Sequence, residues 1–215
     1  MAKNITKPIE SPIGDLEWVI IEGEGKEDLA GNFKYQAALV LSGDSANAFQ
    51  AEVNAFWDEN KPAKIKEPKS LGYMPHKIPT GKEDEEGSKI YEETGKTSFL
   101  FKTGTAYADG NPKVITVFNA KGAEVSLGAK KIGNGSRGRV KGAIAIYTVE
   151  KAGKILQAGV TFYLNAIQLA KFVEYAGGPR FAAIEDEGDF EGVGDMGGIP
   201  DESTKTSESS DKPKL

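Results

Sequence analysis

The chain has 215 residues, a formal net charge of −5, 39% hydrophobic and 27% charged residues, no cysteine and a single histidine. Disulfides, thiolate nucleophiles, Cys-ligated zinc and every two-histidine metal motif are excluded, and no stretch approaches the roughly 20 apolar residues of a membrane span. The 26 glycines favour strands and turns over a helical bundle, because glycine weakens helices and serves turns.

Met1-Ala2-Lys3-Asn4 leads into no apolar signal core, which fits a soluble intracellular protein. Residues 33–41 (FKYQAALVL) are an apolar run bounded by Gly31-Asn32 and Ser42-Gly43-Asp44, and they predict a strand. Asp44 or Ser45 is placed to cap a helix in which Phe49, Val53, Phe56 and Trp57 recur at helical spacing, with Lys61-Pro62 as the stop. That stripe is expected in the core.

From 61 to 94 the composition turns to proline, glycine and charge, predicting a long loop. It carries Tyr73, the lone His76, which is expected to be exposed, and the acidic run Glu83-Asp-Glu-Glu86, expected to be solvated and not a metal site. Residues 97–107 alternate in part. Phe99 and Phe101 share one face there, with Leu100 and Lys102 on the other, and one phenylalanine is expected in the core; Phe33 and Tyr35 pose the same choice. Residues 113–119 (KVITVFN) predict a further short strand.

Residues 139–149 alternate cleanly, with Val140, Gly142, Ile144 and Ile146 on one face and Arg139, Lys141, Ala143, Ala145 and Tyr147 on the other. A hairpin-length link, Glu150 to Gly153, joins them to residues 154–165. There Leu156, Val160, Phe162 and Leu164 oppose Gln157, Thr161, Tyr163 and Asn165. A second helix is expected from about 166 to 176, ended by Gly177-Gly178-Pro179. Five strands, an inserted helix and no βαβ alternation predict a small antiparallel barrel.

The folded domain is expected to span residues 1–180, followed by a disordered acidic tail over 181–215. Residues 185–215 hold ten acidic residues and three lysines, a balance of −7, which leaves 24 basic and 22 acidic residues, +2, in the rest. The acidity belongs to the tail and the body is mildly basic.

Gly133-Asn-Gly-Ser-Arg-Gly138 matches the letters of a dinucleotide-binding fingerprint, but a strand follows it where that motif needs a helix. A basic turn entering a strand is the better account, and no cofactor is implied. Lys130, Lys131, Arg137, Arg139 and Lys141 gather around that turn and strand. With Tyr147 and Tyr163 on the outer face and small residues at Ala143 and Ala145, they provide phosphate neutralisation beside a stacking platform, which is what a single strand requires. Lys102, Tyr35 and Tyr73 are further candidates for contact with nucleic acid. An ordinary solvated strand face is the competing account. No Ser/His/Asp arrangement or framed carboxylate pair appears, so a non-enzymatic protein is expected.

Three stretches together resemble phage-encoded single-stranded DNA-binding proteins with an OB-fold, both the T7 type and the related group in tailed phages of enterobacteria. They are the 33–41 strand entering the Asp44 helix, Pro79-Thr-Gly-Lys-Glu-Asp with Tyr91 before the Phe99 strand, and Ile132-Gly-Asn-Gly-Ser136 leading to Val160-Thr-Phe-Tyr-Leu-Asn-Ala-Ile-Gln168. The resemblance implies coating of single-stranded DNA during phage replication and recombination in the host cytoplasm. It also implies an acidic tail that contacts phage replication proteins. Here the sequence departs from the T7 pattern: it ends Asp211-Lys-Pro-Lys-Leu215, with no terminal aromatic. A phage β-barrel adaptor that binds protein and not nucleic acid is the alternative, and the residues leave oligomeric state open.

Overall fold

The computed structural model describes residues 5–28 and 30–177. In chain order they form β1 (Thr6–Glu10), β2 (Gly14–Ile20), β3 (Lys26–Glu27), β4 (Phe33–Leu41), α1 (Gly43–Asn60), β5 (Tyr73–Glu83), β6 (Lys89–Gly104), β7 (Thr116–Phe118), β8 (Ser136–Lys151) and β9 (Lys154–Lys171). The expected tail over 181–215 lies outside the described residues.

Five strands close a barrel: β2 pairs with β4, β4 with β6, β6 with β9, β9 with β8, and β8 returns to β2. Four seams are antiparallel. The fifth, β6 to β9, is parallel and sets Phe101 beside Phe162 and Lys102 beside Tyr163. Parity requires this, since an odd ring of strands cannot alternate direction all the way round. The result is the expected OB barrel, mainly β with one helix. Around it, β1 pairs with β8, β3 with β4, and β7 lies parallel to β9.

The barrel interior is filled by fully buried side chains, among them Leu16, Leu39, Phe99, Phe101, Ile144, Phe162 and Leu164. Both Phe99 and Phe101 belong to the core, where only one was expected. The α1 stripe closes one end: Phe49 meets Phe99 edge-on at 4.8 Å between ring centroids, and Val53, Phe56 and Trp57 are buried with it. The helix starts two or three residues earlier than expected. Ser42 is the N-cap, its hydroxyl making no capping bond, and Asp44 sits in the first turn, where a carboxylate favours the helix dipole.

The stretch expected as a loop from 61 to 94 instead holds a hairpin arm, β5 with the first half of β6. Pro75 and Pro79 hid it, yet proline is admissible because β5 pairs on one side only. His76, expected to be exposed, is only 8% exposed. Its Nδ1 lies 2.8 Å from Thr94 Oγ1 and its Nε2 3.1 Å from Glu17 Oε2, so it ties the arm to β2. The acidic run forms the arm's tip, where Asp84 Oδ1 accepts the backbone N–H groups of Glu86 and Ser88.

The helix expected over 166–176 is not formed; β9 runs on to Lys171. Lys141 faces Ala166 and Gly142 faces Leu164, so Asn165 is an extra residue in β9. This bulge shifts the alternation and turns Ile167 and Leu169 inward after Phe162 and Leu164. The slip of one residue is what imitated helical spacing. Leu156, expected inside, is exposed, because the β8–β9 hairpin extends past the barrel there.

Candidate nucleic-acid interface

β8 alternates as its sequence demands. Val140 and Ile144 are buried in the barrel, while Arg137, Arg139 and Lys141 face outward. Gly138 and Gly142 permit close packing on β9: a Cβ would stand 2.2 Å from Gln168 O at the first and 1.8 Å from Tyr163 O at the second. The bulged backbone of β9 therefore presses directly on β8 at the two residues that bracket Arg139 and Lys141.

Tyr163 is flanked across the sheet by Lys102 on β6 and Ala143 on β8, and it is 42% exposed. Cross-strand partners share a face. The row thus presents an ammonium group, a phenol ring and a methyl-sized gap side by side. Further along β8 and β9 is a notch of about 220 Å³, lined by Arg139, Lys141 and Gln168 and by Phe118 and Gly122.

The six expected cations divide into two groups. Arg139 pairs with Glu10, Arg137 with Asp15 at 3.4 Å and Lys130 with Glu174 at 3.3 Å. Among the described residues, Lys102, Lys131 and Lys141 form no ion pair. Exposed pairs contribute roughly 0–1 kcal/mol, so a phosphate can displace the carboxylates at small cost. Arg139 is also positioned: its Nε donates to Gln168 Oε1 at 2.7 Å, and Gln168 Nε2 donates to the carbonyls of Asn119 and Ala120.

The expected tyrosines separate similarly. Tyr147 is half-buried, its ring set over Gly159, where an added Cβ would meet the phenol at 2.7 Å. Burial pushes its pKa above the ordinary value. Tyr35 is only 7% exposed and donates to Gly23 O, so it is a core residue and offers no ring face to a ligand. Tyr73 packs its ring near Phe99 and donates to Asn54 Oδ1, which makes it a link between the arm and α1, not a free platform.

The Gly133–Ser136 turn is a structural clasp. Gly133 lets the backbone of Tyr175 approach to where a Cβ would lie at 2.9 Å, and Gly135 has φ +91. Ser136 is fully buried; its Oγ donates to Val173 O and accepts from Val173 N. Asn134 Oδ1 accepts the backbone N–H of Trp18 at 3.0 Å.

Trp18 is the residue that sequence reasoning missed. It is 65% exposed and has φ +51, the left-handed region that costs a non-glycine residue roughly 1–2 kcal/mol. It sits where the β2–β4 ladder slips between Glu17 and Ile20. Its only prior signal was a break in β2's alternation just before Glu22-Gly-Glu-Gly25.

Among the described residues, no group of three or more His, Asp or Glu side chains is placed to hold a metal ion, and no helix is long and apolar enough to cross a membrane. No family model and no curated relative matches the sequence. Among solved structures, the chain is similar to gp2.5, a single-stranded DNA-binding protein encoded by bacteriophage T7. The identity is 19% and the TM-score 0.51, over 92% of this chain and 100% of that one. The single-stranded DNA-binding protein of bacteriophage Enc34, in complex with single-stranded DNA, aligns at 13% identity and TM-score 0.49, over 79% of this chain and 89% of that one. The likeness to the T7 protein is one of fold.

Proposed function

We propose that this chain binds single-stranded DNA without sequence preference, on the outer face formed by β6, β9 and β8. One observation carries the reading: the exposed Tyr163 ring lies between Lys102 and the small Ala143, with Lys141 and Arg139 further along β8. A base has a π-face whatever its identity, so an aromatic surface beside cations takes any sequence. The T7 protein, which is similar in fold, is a single-stranded DNA-binding protein, which supports the reading. The role is one of coating and protection in phage replication and recombination, with binding and not catalysis as the activity.

The acidic residues 185–215 supply a competitor. A tethered segment of charge −7 contests the same cations at high effective concentration. It is also the proposed contact for phage replication proteins.

A second reading, a protein-binding adaptor, has one observation in its favour: the β5–β6 arm exposes Met74, Ile78, Ile90 and Tyr91. Fluorescence anisotropy of labelled single strand, duplex and RNA across a salt series separates the two. Single-strand binding predicts preference for the single strand and a steep fall in affinity with salt. Indifference to nucleic acid at every salt concentration favours the adaptor.

A further inference from the structure

Beside Trp18 lies a cleft of about 490 Å³, formed between the end of β2 with the following residues to Gly25 and the segment holding Lys130, Lys131 and Tyr175. It lies apart from the Tyr163 row and contains none of its residues. Three observations set it apart. The indole is held out to solvent by a backbone in the left-handed region, and both backbone polar groups of Trp18 are taken by side chains, its N–H by Asn134 and its carbonyl by Gln36 Nε2. A second aromatic, Tyr175, is exposed on the same cleft. The charges are sorted, with Lys130 and Lys131 on one wall and Glu22 and Glu24 on the other.

Strained residues that the surroundings over-determine concentrate at ligand sites. A tryptophan fixed this way is not filling the core; that role falls to Trp57, which is 4% exposed. Lined by two aromatics, the cleft suits a planar heterocycle. The lysine wall suits the anion attached to it, and the glutamates keep that anion off the opposite wall. Asn134, on the cleft, lies two residues before the start of β8.

We infer that the Trp18 cleft is a second subsite for single-stranded DNA, taking one base against the indole and its phosphate on Lys130 and Lys131. This rests on the reading of the chain as a single-strand binder, and it extends the path of the strand beyond the Tyr163 row.

The test uses the full-length protein and oligo(dT). Trp57 is buried, so acrylamide-accessible emission reports Trp18. Adding oligo(dT) is expected to quench that emission and shield it from acrylamide. Trp18→Gly, which suits the positive φ, is expected to weaken oligo(dT) binding about tenfold by anisotropy, and Trp18→Phe by no more than about threefold. If Trp18 stays accessible in the complex and Trp18→Gly binds like the wild type while Tyr163→Ala loses affinity, the subsite is wrong and the Tyr163 face stands. If the wild type does not bind oligo(dT) at all, both readings fall. Shielding of Trp18 on raising protein concentration without DNA would assign the cleft to a second copy of the chain and overturn the proposal.

Discussion

Arg139 and Gln168 face each other across the β8–β9 seam, and the guanidinium Nε donates to the amide oxygen at 2.7 Å. Gln168 is itself fixed by the carbonyls of Asn119 and Ala120. The cation most central to the proposed interface is thus held in place before any phosphate arrives, and Glu10 occupies its other side.

Removing Glu10 should therefore strengthen binding. Glu10→Gln is expected to raise single-strand affinity about two- to threefold near 0.15 M salt and to steepen the log K against log salt slope by up to about 0.7, one phosphate's worth. Gln168→Ala, which frees Arg139 to wander, should weaken binding about threefold. Salt-titrated anisotropy reads both, and a Glu10→Gln variant with unaltered slope would show that Arg139 meets no phosphate.

In the proposed interface Tyr163 is the stacking surface. A stacked base is typically worth about 1–3 kcal/mol, so Tyr163→Ala should cost roughly five- to 150-fold in affinity and Tyr163→Phe little. Thermal melting of Tyr163→Ala should stay close to the wild type, because the ring is substantially exposed. Equal loss of binding in the phenylalanine variant would point to the hydroxyl instead of the ring.

Gly142 is a structural requirement. A Cβ there would stand 1.8 Å from the Tyr163 carbonyl, and no flexible side chain is at hand to yield. Gly142→Ala is expected to cost about 3 kcal/mol or more, lowering Tm by roughly 6–12 °C. Calorimetry checks this, and a melting point within a degree or two of the wild type would mean that the seam can open at little cost.

Deleting residues 185–215 takes away ten acidic residues and three lysines. Single-strand binding should tighten at matched salt, most of all at low ionic strength, where the competitor is least screened. Unchanged or weaker affinity would rule out the tail as a competitor.

Burial holds the Tyr147 phenol above its ordinary value of 10.0. Its neutral form is the one the fold accommodates, so its contribution to stability is fully present below pH 10 and is lost as pH climbs through the raised value. Denaturation midpoints should fall above that pH in the wild type and fall less in Tyr147→Phe. Identical alkaline loss in both proteins would place the sensitivity elsewhere.

Much of this architecture could be read from residue order alone. The strands β4 and β8, the first half of β9 and the stripe on α1 follow from simple periodicity, and so does the outward set Arg137, Arg139, Lys141 and Tyr163. What stayed hidden has physical causes. Pro75 and Pro79 concealed β5, a strand that pairs on one side only. Asn165 put an extra residue into β9 and made its end look helical. Tyr35 and Tyr73 resemble surface aromatics in sequence, yet their hydroxyls reach Gly23 and Asn54 and their rings pack inward. Trp18 was missed because a ladder slip reorients it, and such a slip leaves little trace in local composition.

The parallel seam also bears on how the protein comes into being. Phe101 cannot find Phe162 until the strand that carries it has been synthesised, and that strand is the last of the barrel. Until then β6 and β8 both expose unpaired edges to any passing strand. Closure of the barrel therefore waits on the final hairpin, and a truncation ahead of β9 would leave an open sheet, not a smaller barrel.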